Sequence, residues 1–137
     1  MPVKRIALLG ATGSIGRQAI EVVERNPELE LCALASGTSD LTALAREHGV
    51  QHAQVGGELT ELLDAARPDV VLNAIVGFAG VGATLWTLER GVTLALANKE
   101  SLVAAGDLAR DAKARGGGLL LPVDSEHEGL LEALTAV

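Results

Sequence analysis

Short apolar runs, several of them β-branched, recur at residues 3–9, 29–35, 52–55, 69–74, 92–96 and 118–122. Each has the length and composition of a strand buried on both faces. Between them the apolar positions switch to helical spacing, which predicts helices over 14–25, roughly 40–48, 58–66, 80–90 and 99–115. In the first, Ile15, Ala19, Val22 and Val23 share one face while Arg17, Glu21 and Glu24 occupy the other, and Asn26-Pro27 stops it. Glycines at 49, 91 and 116–118 fall where helices must turn back, the place where a left-handed residue is easiest to accommodate. Strict strand–helix alternation dictates a parallel sheet covered on both faces with right-handed crossovers. The expected fold is therefore α/β, a Rossmann-type doubly wound sheet of order 3-2-1-4-5-6.

The first strand runs straight into Gly10-Ala11-Thr12-Gly13-Ser14-Ile15-Gly16 at the head of the first helix. Gly10 permits a tight turn, Gly13 lets the backbone approach a pyrophosphate, and Gly16 lets the helix pack close on the strand. Free N–H groups of the first helical turn then face the anion. The spacing is G-x-x-G-x-x-G rather than G-x-G-x-x-G, so the strand–turn–helix context carries much of the signal.

Composition narrows this picture further. With 137 residues, 48% hydrophobic and 21% charged, the chain holds one domain with a real core. A net charge of -7 argues against nonspecific binding to nucleic acid or anionic membrane, and no basic stripe appears. The single Cys32 forms no internal disulfide and reads as a buried thiol in a reducing compartment. With no leader pattern and no run of eighteen apolar residues, a soluble cytoplasmic protein is expected.

Ligands of such sheets gather at the carboxyl ends of the strands, where this chain places its polar and glycine-rich loops. Besides the glycine turn these are Ser36-Gly37-Thr38-Ser39, Asn73-Ala74-Ile75-Val76-Gly77, Asn98-Lys99-Glu100-Ser101 and Pro122-Val123-Asp124-Ser125-Glu126-His127. No acidic residue stands at 35–39 to bind ribose hydroxyls, which favours NADP over NAD, yet no Arg or Lys stands there to pair with a 2′-phosphate. Asp40 reads most simply as a helix N-terminal residue. Asn98, Lys99 and Glu100 group an amide, a cation and a carboxylate suited to a phosphorylated polyol or a nicotinamide ribose; a helix-capping cluster explains them equally. Asp124 and Glu126, two residues apart at a strand end, point to the same side and suit Mg²⁺ or Mn²⁺, with a capped, solvated strand end as the competing reading. His127 reads as a neighbour of that site or a surface residue, and His48 and His52 as solvent-facing.

The glycine turn, Ala74-Ile75-Val76-Gly77, Leu96-Ala97-Asn98-Lys99-Glu100-Ser101-Leu102-Val103 and Leu121-Pro122-Val123-Asp124-Ser125-Glu126-His127, in this order and spacing, resemble the N-terminal region of the 1-deoxy-D-xylulose 5-phosphate reductoisomerase family over nearly the whole chain. The resemblance implies an enzyme of non-mevalonate isoprenoid biosynthesis. Such an enzyme converts 1-deoxy-D-xylulose 5-phosphate with NADPH and Mn²⁺, Mg²⁺ or Co²⁺ to 2-C-methyl-D-erythritol 4-phosphate. It further implies that Thr12, Gly13, Ser14 and Ile15 bind the NADPH phosphates, that Gly37, Thr38 and Ser39 lie at the 2′-phosphate, and that Asn98 and Glu100 contact the cofactor. Lys99 and Ser125 would touch the phosphorylated sugar, and Asp124 and Glu126 would ligate the metal. Residues 1–123 are expected to form the NADP-binding domain and 124–137 the start of a catalytic domain, with homodimers typical of the full-length family.

Three departures from the family pattern stand out. Thr38 and Ser39 replace a usual Lys or Arg and Asn, the stretch between the second and fourth strands is short, and the sequence stops at Val137, before a third metal carboxylate, a flap and a helical domain. On this reading the isolated chain binds NADPH at best. The alternatives are a nonenzymatic or engineered Rossmann nucleotide-binding module, and a different two-domain reductase akin to aspartate-semialdehyde or homoserine dehydrogenase that shares only the glycine turn.

Overall fold

The computed structural model describes residues 3–75, 78–97, 99–123 and 127–136, with the backbone alone at 78, 99–102, 104, 105, 127 and 128. Six strands form a wholly parallel sheet: β1 (Lys4–Leu9), β2 (Leu29–Ser36), β3 (His52–Val55), β4 (Val70–Asn73), β5 (Thr93–Leu96) and β6 (Leu120–Pro122). Their order is β3-β2-β1-β4-β5-β6, as the alternation requires. The helices are α1 (Ser14–Arg25), α2 (Thr42–His48), α3 (Leu59–Ala66), α4 (Val81–Glu89), α5 (Lys99–Gly116) and α6 (His127–Thr135), with a 3₁₀ turn at Phe78–Gly80 ahead of α4.

The apolar residues divide between the two faces of the sheet. On one, Ile6, Leu8, Leu31, Leu34 and Leu72 pack with Ile20, Val22 and Val23 of α1 and with Leu130 and Leu134 of α6. On the other, Ala7, Leu9, Ala35 and Val71 meet Leu62 and Leu63 of α3, Trp86 and Leu88 of α4, and Ala109 and Ala112 of α5. Burial of these side chains from water is the main force holding the layers together. The Lys4 ammonium donates to the backbone carbonyls of Thr135 and Ala136, so the C-terminal end of α6 is held by a cation placed favourably for the helix dipole.

Helix ends follow local chemistry. Asn26, just ahead of Pro27, is extended at φ -126 and ψ 102, which the proline demands. Gly49, at φ 66, terminates α2 in the left-handed conformation. Arg67 does the same for α3 at φ 51, a conformation unusual outside glycine, and it also precedes a proline. Within α5, Gly106 at φ 49 and ψ -122 breaks the helical path.

The register between β1 and β2 slips once. Ile6 pairs with Leu31 and Ala7 with Ala33, leaving Cys32 as an extra residue in a β-bulge. Cys32 and Ala33 consequently belong to the same core layer. Burial pushes the Cys32 thiol from its ordinary 9.0 up to about 11. The native thiol is therefore expected to resist an alkylating reagent at pH 8 and to react on unfolding, a difference that mass spectrometry reads directly. Since the folded state holds this proton more tightly than the unfolded chain, the thiol's contribution to stability is complete below pH 9 and declines as pH rises toward 11. Urea midpoints of the parent should fall over that window by more than those of Cys32→Ala.

His48 departs from the expected solvent-facing position. Its side chain is only 10% exposed, and Nδ1 lies 2.8 Å from Glu24 Oε1, so the pair joins α2 to α1. Among the described residues, no helix is long and apolar enough to cross a membrane.

Candidate functional site

The carboxyl ends of β1, β2, β4 and β5 converge on the point where the strand order reverses, between β1 and β4. At the end of β1, the N–H groups of Gly10 and Ala11 both donate to the Ala35 carbonyl of β2, each at 2.9 Å, which ties the glycine turn to the neighbouring strand. Gly10 adopts φ +88, and a Cβ there would stand 2.9 Å from the Ala74 carbonyl carbon. At Gly16 a Cβ would lie 2.6 Å from the Ala11 oxygen and closer still to that of Gly10, so α1 approaches the turn as closely as backbone can. Gly13 differs from both. The nearest neighbour of a Cβ there is the Gly10 oxygen at 3.6 Å, and the residue is exposed, leaving space above the turn.

The first turn of α1 starts from Gly13 at φ -77 and ψ 176 with no side chain capping it, and it contains no acidic residue. Its leading N–H groups thus form a concentration of positive potential that, among the described residues, neither a side-chain cap nor a first-turn carboxylate neutralises. Gly13 and Ser14 are exposed at this rim, and Thr12 and Ile15 half-buried. These features fit a pyrophosphate, whose oxygens would occupy the space left by Gly13 and accept from the uncapped helix end.

At the end of β2, buried Ser36 donates its hydroxyl to the Ser39 carbonyl, curling the loop back on itself. Its own carbonyl accepts from Gly56 N–H at 2.8 Å, joining the loop to the end of β3. Gly37, Thr38 and Ser39 are all exposed, and a Cβ on Gly37 would meet nothing within 4 Å. Asp40 is engaged locally, as its sequence position indicated. It accepts from the Thr42 N–H at 3.0 Å and the Thr42 hydroxyl at 2.7 Å, and the Thr42 N–H foremost holds its carboxyl below the usual range.

The end of β4 contributes a residue that sequence reasoning passed over as the start of a loop. Asn73 is wholly buried and spends its amide within the chain, donating to the Gly80 carbonyl at 2.9 Å and to Thr84 Oγ1 at 3.0 Å and accepting from Ile75 N–H at 3.2 Å. The available signal was a lone polar residue closing the apolar run Val70-Val71-Leu72.

The remaining candidates fall elsewhere. Asn98, Asp124, Ser125 and Glu126 lie outside the described residues, as do the side chains of Lys99 and Glu100. The chain on either side is anchored at the same edge of the sheet: Ala97 N–H donates to the Asn73 carbonyl at 3.1 Å and Val123 N–H to the Leu96 carbonyl at 3.1 Å. Among the described residues no three His, Cys, Asp or Glu side chains gather where they could hold a metal ion.

Comparison with known proteins points in one direction. The family model described as 1-deoxy-D-xylulose 5-phosphate reductoisomerase matches residues 6–58 and 40–106. The reductoisomerase of Leifsonia xyli subsp. xyli is 48% identical over 98% of this chain and 38% of its own length. Among solved structures, the Zymomonas mobilis reductoisomerase in complex with NADPH superposes with a TM-score of 0.77 at 36% identity, covering 93% of this chain and 40% of that one. A reductoisomerase structure with fosmidomycin and magnesium gives 0.79 at 35% identity, covering 91% and 38% respectively. The chain thus spans about two fifths of the length of the proteins it matches.

Proposed function

Since the chain belongs to the 1-deoxy-D-xylulose 5-phosphate reductoisomerase family, we propose that it forms the NADPH-binding part of such an enzyme, which turns 1-deoxy-D-xylulose 5-phosphate into 2-C-methyl-D-erythritol 4-phosphate. The observation that carries this reading is the uncapped, acid-free start of α1 beneath the open space at Gly13. When bound, NADPH supplies a hydride and a divalent ion supplies Lewis acidity.

The roles of the chain's own residues follow from their position. Thr12, Ser14 and Ile15 present backbone N–H groups, and Thr12 and Ser14 hydroxyls, to the pyrophosphate, while Gly13, whose own N–H donates to the Gly10 carbonyl at 3.3 Å, leaves the space for it. The tie from Gly10 and Ala11 to Ala35 keeps those donors aimed without reorganisation. Gly37, Thr38 and Ser39 offer an uncrowded polar loop to the 2′-phosphate. Asn98 and Glu100 are assigned to the cofactor, Lys99 and Ser125 to the phosphorylated sugar, and Asp124 and Glu126 to the metal, all by their place in the family's motifs at the β5 and β6 ends. Lys99 would hold a negative group of the sugar while the Asp124 and Glu126 carboxylates supply oxygen donors of the kind Mg²⁺ and Mn²⁺ prefer.

Titration of the chain with NADPH, followed by nicotinamide fluorescence, tests the reading. Saturable binding that is tighter for NADPH than for NADH is expected, and failure to bind NADPH would overturn it. The 2′-phosphate loop carries a separate expectation. In Thr38→Lys, a cation enters an exposed position beside that phosphate, and NADPH affinity should rise about fivefold, or ~1 kcal/mol, with NADH unchanged. The same titrations with both nucleotides measure the change.

A further inference from the structure

We infer that Asn73 is a positioning residue for the nicotinamide half of the cofactor, acting through a clamp on Thr84; the inference rests on the nucleotide-binding reading above. Its place in the fold is distinctive. Asn73 pairs with Leu9 of β1 on one side and Leu96 of β5 on the other, at the last rung of the ladder before all three strands release their loops. Through the backbone, Leu9 accepts from Ala74 N–H at 2.9 Å and Asn73 accepts from Ala97 N–H at 3.1 Å. One residue therefore stands between the strand that leads into the glycine turn and the end of β5 at Ala97.

Its side chain adds a third tie. Both amide hydrogens and the amide oxygen are used, and they reach Ile75 at the start of the β4–α4 connection, Gly80 at its end, and Thr84 inside α4. Thr84 is itself fully buried, so the clamp works in a dry setting where a hydrogen bond is strong and a missing partner costly. The clamp also reaches the cleft. Ala74, next in sequence, is the group against which Gly10 packs, with a Gly10 Cβ falling 2.9 Å from its carbonyl carbon and oxygen. Loosening Asn73 from α4 frees the connection to shift against the glycine turn.

A doubly wound sheet binds the two halves of a dinucleotide on opposite sides of the reversal point, the adenylate half over β1 and β2 and the nicotinamide half over β4 and beyond. Ser36–Ser39 and the start of α1 do not depend on the Asn73 amide, whereas the β4 side does. A purely structural residue would weaken both halves together; the clamp should affect only one.

The experiment compares NADPH with adenosine 2′,5′-bisphosphate, which carries the adenylate half alone. Thr84→Val keeps side-chain shape but removes the acceptor, and should weaken NADPH about fivefold while leaving the bisphosphate within about twofold. Thr84→Ser retains the hydroxyl and should match the parent for both ligands. Asn73→Leu should show a larger loss for NADPH with the same selectivity. Equal losses for the two ligands, or unchanged NADPH affinity in a Thr84→Val protein that unfolds at the parent's urea midpoint, would overturn the inference. A parent chain that binds neither ligand removes the nucleotide reading itself, and the inference with it.

Discussion

Gly16→Ala is expected to abolish measurable NADPH binding and to cost about 2–4 kcal/mol of stability, near the upper end of the range for overpacking. The added methyl would enter space held by the Ala11 carbonyl oxygen, 2.6 Å away, and by that of Gly10. Neither oxygen can yield, because the turn's N–H groups are fixed to Ala35 and β1 lies at the centre of the sheet. α1 would have to lift away and take with it the donors proposed to meet the pyrophosphate. Urea unfolding followed through Trp86, the chain's one tryptophan and a buried one, reports the stability change, and nicotinamide fluorescence reports the affinity. A Gly16→Ala chain that binds NADPH like the parent would show that helix placement does not govern the site.

Gly116→Ala should be comparably destabilising, by about 2–3 kcal/mol, while leaving NADPH affinity within about twofold of the parent. A Cβ at Gly116 would stand 2.5 Å from the Glu89 carbonyl carbon and closer to the oxygens of Leu88 and Glu89, where α4 and α5 touch backbone to backbone. This contact lies where the two helices end, ahead of β5 and β6, and so at the edge of the sheet opposite the proposed nucleotide site. The pair of substitutions separates two uses of the same residue type. Both glycines let elements come close, but only Gly16 does so beneath the proposed ligand. Matched urea and NADPH titrations would expose any coupling between the two edges as a loss of affinity in Gly116→Ala.

The strands and their order were legible because each run was short, apolar and separated from the next by a helical pattern. The glycine turn was legible because its spacing and context carry a mechanism. Other features depend on information that periodicity does not hold. The covered position of His48 is not legible because its partner, Glu24, belongs to a different helix, and a single histidine at a helix end says nothing about what packs over it. Gly106 was invisible as a break because a lone glycine is tolerated inside a helix. Arg67 takes a left-handed turn that the eye assigns to glycine, with Pro68 as the sole hint. Asn73 appeared as a loop residue because sequence gives no sign that Thr84 will stand opposite it. For Asn98, Lys99, Glu100, Asp124, Ser125 and Glu126, the motifs and family membership remain the support for their proposed roles.

The slip at Cys32 was hidden for a further reason. In a strand covered on both sides, Leu29-Glu30-Leu31-Cys32-Ala33-Leu34-Ala35-Ser36 offers no clean alternation from which a phase could be read. The consequence is that β2 keeps two reading frames, one set by Leu29 and Leu31 and a second, offset by one, for everything beyond Cys32. The second frame puts the Ala35 carbonyl under the two amides of the opening turn and sends Ser36 onward to the Gly37–Ser39 loop. The tip of β2 at the proposed nucleotide site is thereby phased independently of the strand's root, so that the root can be rewritten to suit the core without turning the tip away from that edge.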